Sequence, residues 1–227
     1  MNKICKVFLF VLIFFQSVNS IAHVEHYKNL NNIEFDIYRN NKLIGYHAFS
    51  FSIDDGLLSV KSEIKFKIKK LGIILYDYHV TGTEVYKDGD LIKFNSKTNQ
   101  NGKSKYVNIK SENGVLDVDG SSHNGKVPAE YLIGTWWNHS LIKAPAQISA
   151  VSGRIIKQKV KFIGKETINF NEKEIKTLHF NFSSTDSTFK KDKKLNTDVW
   201  YEEKTLNWVK ATFKKKGNWE YKLKSIN

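Results

Sequence analysis

Cysteine is almost missing from this chain: Cys5 is the only one in 227 residues. That excludes an intramolecular disulfide framework and a Cys-rich zinc module. Arginine is nearly as scarce. Of 36 cationic residues all but Arg39 and Arg154 are lysine, so the planar fork favoured at nucleic-acid and phosphate sites is rare here. The formal charge of +13 alone supplies only non-specific attraction. Much of the lysine excess, beside abundant Asn, Ile, Phe and Tyr, reads as coding bias displayed on solvated faces. No nucleic-acid partner is expected. Proline is limited to Pro128 and Pro145, and nothing resembles a linker. No G-x-S-x-G elbow, H-E-x-x-H helix, P-loop or dinucleotide fingerprint is present. What is there is aromatic: 15 Phe, 10 Tyr and 5 Trp, with 26% charged residues. A disordered tail lacks such core-forming residues, and the length suits one full hydrophobic core or at most two small ones.

The amino terminus has three parts. Lys3 and Lys6 make a basic start, Val7 to Phe15 is an unbroken apolar run, and Gln16 to Ser20 turns polar. This is the layout of a secretory signal peptide over residues 1–20, with cleavage expected after Ser20 or Ala22. The run is too short to span a bilayer comfortably, the competing reading being an uncleaved anchor. No Cys follows it, so a lipoprotein anchor has no attachment residue. The expected product is one exported, periplasmic domain over residues 23–227. Cleavage after Ala22 would put His23 first, and its α-amine and imidazole, with His26, form a weak copper-like donor set. The competing reading is a frayed, solvated terminus, and no metal site is assigned.

From about residue 32 the dominant period is two. Val60, Ile64, Phe66 and Ile68 alternate with Lys61, Glu63, Lys65 and Lys67, the pattern of a half-buried strand. The same alternation runs through Ile33, Phe35 and Ile37, through Leu178, Phe180 and Phe182, and through Trp219, Tyr221 and Leu223. Turn pairs fall at strand-length intervals: Asp55-Gly56, Asp88-Gly89, Asn101-Gly102, Asn113-Gly114, Asn124-Gly125 and Gly217-Asn218. The expected fold is all-β, roughly a dozen strands in a large curved antiparallel meander sheet or a barrel or half-barrel.

One stretch breaks the rhythm. Residues 126–150 hold both prolines and the run Ala129-Glu130-Tyr131-Leu132-Ile133-Gly134-Thr135-Trp136-Trp137-Asn138-His139, without clean alternation. A short helix or plug around residues 128–140, covering an open end of the sheet, would explain it. Adjacent Trp side chains leave an extended backbone on opposite sides, so both are not expected in one core. One is then free to line a pocket mouth, while the competing reading is a hydrophobic seal. Tyr131, Trp136 and Trp137 are the candidate ligand-binding residues. His47, His79 and His179 sit singly within strands and read as surface or rim residues. Asp117 and Asp119 share a strand face, Glu202 and Glu203 face opposite ways, and no two carboxylates are placed across a cleft. No catalytic residue, metal ligand or cofactor is assigned.

Two segments carry a resemblance. One is Pro128-Ala129-Glu130-Tyr131 with Trp136-Trp137-Asn138 and Ser152-Gly153. The other is Asp198-Val199-Trp200-Tyr201, then Leu206, Val209-Lys210-Ala211, Phe213, Gly217 and Tyr221-Lys222-Leu223. Together they resemble the exported proteobacterial family numbered 6134 among the domains of unknown function, and more distantly a periplasmic group with W-Y-D motifs. Glu202 stands where Asp is more usual, and Trp136 duplicates the aromatic before Trp137-Asn138. The resemblance implies an exported antiparallel barrel or half-barrel and transfers no catalytic residue. On the residues alone, Val199 and Tyr201 share one strand face, Trp200 takes the other, and Trp208 and Trp219 follow on the next two strands.

The function expected from these features is non-enzymatic binding of a hydrophobic or amphiphilic envelope molecule inside the curved sheet, by a monomer. The alternative is an envelope structural or interaction module whose lysine faces meet anionic lipid or polysaccharide. An enzyme ranks third.

Overall fold

Alternation of apolar and polar residues yields strands along most of the described residues. The computed structural model describes residues 27, 29–190 and 193–227. The first eight strands are β1 (Asn32–Arg39), β2 (Lys42–Asp54), β3 (Leu57–Lys70), β4 (Ile73–Lys87), β5 (Asp90–Gln100), β6 (Lys103–Glu112), β7 (Val115–Gly120) and β8 (His123–Pro128). Two short strands follow, β9 (Leu132–Ile133) and β10 (Ala146–Ile148), separated by a 3-10 turn over His139–Ile142. The last five are β11 (Ile155–Phe170), β12 (Lys173–Ser184), β13 (Asn196–Glu202), β14 (Trp208–Lys214) and β15 (Asn218–Ile226). The proposed signal segment and the His23–His26 pair lie outside the described residues.

All fifteen strands join one sheet, in the order β8 through β1, then β15 through β9. Pairing is antiparallel throughout except between β9 and β10, which run parallel. The chain therefore starts mid-sheet, meanders to one edge at β8, crosses to the other edge at β9 and returns to pair β15 with β1. The sheet is not closed by pairing, because β8 and β9 are its two ends. Sequence neighbours pair along each arm of such a meander, and β1 with β15 joins the two arms.

The sheet curls around the crossing segment, residues 129–154. Glu84 on β4 and Ser96 on β5 bond this segment from one half-sheet, Ser96 Oγ donating to the Ala150 carbonyl at 2.6 Å. Tyr201 on β13 bonds it from the other half, its hydroxyl donating to the Trp136 carbonyl at 3.0 Å. The segment is thus an interior plug. The core gathers around it, with Ile33, Phe35, Phe49, Phe94, Phe182, Trp137 and Trp208 all fully or almost fully buried. Its only helical turn is the 3-10 segment, where the Asn138 side chain accepts from the Ser140 N–H. Gly134 packs close against Gln147: a Cβ there would lie 2.3 Å from Gln147 Oε1, so that side chain would have to shift. Gly120 and Gly153 let the segment's exit pass against β7, where a Cβ on Gly120 would lie 2.9 Å from the Ser152 carbonyl oxygen.

The turn chemistry matches at four of the expected pairs. Asp55-Gly56, Asp88-Gly89, Asn101-Gly102 and Asn113-Gly114 each hold two successive positive φ angles at a hairpin tip. Asn124-Gly125 is a correction. It lies inside β8, and the turn falls three residues earlier, at Ser121-Ser122, between the paired Gly120 and His123. Ser122 N–H there bonds the Ser152 carbonyl of the plug, so a tertiary contact decides the turn position.

Candidate functional site: an interior cavity

Between the plug and the inner face of the sheet lies a cavity of about 140 Å³. Strands β2 to β5 supply His47, Ile64, Gly82 and Ser96, the plug supplies Trp136 and Gln147, and β15 supplies Tyr221. The wall is mainly apolar. It carries three polar exceptions without a protein partner: Nδ1 and Nε2 of His47, and Nε1 of Trp136, all buried. Each such orphan costs desolvation free energy that no hydrogen bond returns.

His47 corrects the expectation of a surface or rim histidine, since it is only 3% exposed. The register explains this: Gly45, His47, Phe49 and Phe51 share one face of β2, and that face is inside. Its ring packs on Phe49 at 4.2 Å between centroids and meets Trp208 and Tyr221 edge-on at 5.7 and 5.8 Å. Desolvation pulls the imidazole pKa down to about 3, so the ring is neutral at physiological pH, with one donor and one acceptor nitrogen. Trp136 packs on the same two rings, 5.5 Å from Trp208 and 5.9 Å from Tyr221. Its backbone is left-handed, φ 61°, a conformation that a bulky residue rarely takes outside a constrained site. That turn separates the two neighbouring indoles.

Trp137 goes the other way, fully buried, into a ring cluster with Tyr27, Phe51 and Tyr86. Its Nε1 donates to Glu84 Oε1 at 2.8 Å. Thr135 Oγ1 donates to the same oxygen at 3.0 Å, and the Tyr86 hydroxyl donates to Oε2 at 2.5 Å. Burial raises the Glu84 carboxyl pKa, against the opposing pull of these three donors. The Tyr27 hydroxyl donates to the Trp137 carbonyl at 2.7 Å and accepts from the His139 N–H at 3.2 Å. This knot ties the plug to β4. Tyr131 is half-buried beside the core, and neither it nor Trp137 lines the cavity. Of the three candidate residues, the structure brings Trp136 alone to the cavity and adds His47. Both His47 and Glu84 occupy inward register positions of their strands, which is the sequence signal that marks them.

The cavity serines, Ser62, Ser96 and Ser149, are not bonded to His47, so no nucleophile–base pair forms there. On the outer face, His179 is held between Glu166 (2.7 Å) and Asp198 (3.1 Å) and stacks on Trp200 at 4.0 Å. The Trp200 indole donates to Glu166 at 2.9 Å. Both ring nitrogens are satisfied, which makes this a strand-to-strand clamp. Val199 and Tyr201 face inward and are buried, as the alternation predicts. Among the described residues no group of three or more His, Cys, Asp and Glu is arranged to hold a metal ion.

These features define a class: a barrel-like antiparallel sheet, open at its edges and plugged from within. A solved structure of similar fold is the crystal structure of a beta-barrel-like protein of domain of unknown function DUF1849 from Brucella abortus. It superposes with a TM-score of 0.60 at 10% identity, covering 87% of this chain and 97% of that one. The chain belongs to the family described as Domain of unknown function (DUF6134), whose model matches residues 35–224. The curated proteins hold no match to it.

Proposed function

We propose that the chain is an exported periplasmic binding protein that takes the apolar end of a small amphiphilic envelope molecule into the cavity between sheet and plug. The observation that supports this reading is the set of three buried, unpartnered ring nitrogens, on His47 and Trp136, around one mainly apolar cavity. A ligand with a hydrogen-bond acceptor would satisfy the Trp136 N–H and the protonated nitrogen of His47, and a hydroxyl would also serve the second His47 nitrogen. The cavity of about 140 Å³ limits the inserted part to roughly the size of a benzene ring, because an engineered cavity of about that volume accepts benzene. A full acyl chain does not fit. The basic, apolar and polar sequence of residues 1–20 supports export.

Calorimetric titration with hexanol, hexanoate and benzyl alcohol tests the reading. Saturable one-to-one binding is expected, weakened about tenfold or more in His47→Phe and Trp136→Phe. Heats that never saturate would mean that the cavity holds water alone and would overturn it.

A further inference from the structure

Among the described residues, the hairpin joining β3 to β4 differs from the other two-residue loops whose φ angles are both positive. Its two-residue loop is Leu71-Gly72, with φ angles of 50° and 81°. Such a turn favours Asn, Asp or Gly at its first position, and the molecule follows that rule at Asn40-Asn41, Asp55-Gly56, Asp88-Gly89, Asn101-Gly102, Asn113-Gly114 and Asn171-Glu172. Leu71 breaks it, in a conformation sterically unfavourable for leucine, while being 93% exposed. Neither folding nor solubility gains from that choice.

The residues after the turn repeat the anomaly. Ile73, Ile74 and Leu75 are 66%, 48% and 54% exposed. The tip also stands proud of the sheet. Register with β2 ends at Phe66 and register with β5 begins only at Tyr78, so Lys69 to Leu75 pair across the hairpin alone. Immediately behind the apolar tip come Lys65, Lys67, Lys69 and Lys70, with Asp77, bound to Lys67 at 3.2 Å, as the acidic counterpart. An apolar end a few residues deep with a collar of lysines has the build of an interfacial anchor. The aliphatic side chains enter the acyl boundary, and the ammonium groups meet anionic headgroups.

We propose that the β3–β4 hairpin docks the protein on an anionic lipid bilayer by inserting Leu71, Ile73, Ile74 and Leu75. The occupant is a bilayer and not a soluble polyanion, because lysines alone would serve a polyanion and the apolar tip would be idle. The inference is independent of the cavity, although the same two strands line both.

A polarity-sensitive fluorophore on Leu71→Cys, in a Cys5→Ser background, reads insertion locally. The control site is Asn113→Cys, on a turn at the opposite end of the sheet. With phosphatidylglycerol-containing vesicles, blue-shifted and brighter emission is expected at residue 71 and no change at residue 113. Lys69→Glu with Lys70→Glu should weaken the vesicle titration about tenfold or more. Unchanged emission at residue 71, equal changes at both sites, or the same response to dextran sulfate as to vesicles would each overturn the proposal. Leu71→Asn in the unlabelled protein should sediment less with the same vesicles while folding at least as well, since Asn suits the turn. Equal sedimentation would count against insertion.

Discussion

Trp136 and Trp137 are adjacent in sequence and opposite in circumstance. The Trp137 indole is fully buried and bonds Glu84, whose carboxylate also accepts from Thr135 and Tyr86. The Trp136 indole N–H is buried without a partner, beside a histidine with both nitrogens free. Two indole N–H groups on one plug, both buried, therefore differ in satisfaction. A satisfied buried network fixes a segment in place, whereas an unsatisfied one beside a cavity is an opening for a ligand group. The Glu84 knot accordingly reads as structure, and the His47–Trp136 cavity as the proposed site.

Mutation should separate the two. The largest effect belongs to Glu84→Leu, which strands three buried donors and should lower stability by about 3 kcal/mol or more in urea denaturation. Acid should expose the cavity next. Unfolded His47 takes a proton near its ordinary pKa of 6.5, while the folded ring refuses one until about pH 3. The unfolded state therefore holds more protons across that window. Stability from this group rises with pH from about 3 to 6.5 and is flat above it. Moving from pH 7 to pH 5 should remove about 2 kcal/mol, and His47→Phe should abolish that component of the pH profile. Trp137→Phe, which removes one donor from Glu84 and keeps most of the ring, should cost about 1–2 kcal/mol by the same denaturation. At the small end, His47→Phe at pH 7 should leave stability unchanged or raise it by up to about 1 kcal/mol, because it removes two orphaned nitrogens. A large loss at pH 7 would make His47 another structural residue and dissolve the contrast with Glu84.

Much of the fold is legible in period-two alternation. Val60 to Ile68 is the middle of β3, Leu178 to Phe182 lies in β12, and Trp219 to Leu223 lies in β15. Four Asn-Gly or Asp-Gly pairs place hairpin tips, because local φ requirements act without tertiary help. The Asn124-Gly125 pair misleads because Ser122 bonds the plug and moves the turn. Leu71-Gly72 escapes notice for the opposite reason, since its residue violates the turn's preference. The odd composition of residues 128–140 marks the plug. The site itself is harder to read. His47 meets Trp136 and Tyr221 only once the sheet curls and β15 comes round to β1, and no local spacing encodes that encounter. Its trace in the sequence is a single polar residue in an inward position on β2, and Glu84 leaves the same trace on β4. Alternation distinguishes the two faces of a strand, but only the assembled core shows which inward polar residue has found partners.

The most direct test follows the Trp136 indole N–H by nitrogen–proton NMR, its resonance assigned with Trp136→Phe, during titration with hexanol. A saturable downfield shift of that signal, with the Trp137 indole signal unmoved and the response lost in His47→Phe, is the predicted result. A Trp136 signal that stays constant while hexanol is added to saturation of the solvent would contradict the account.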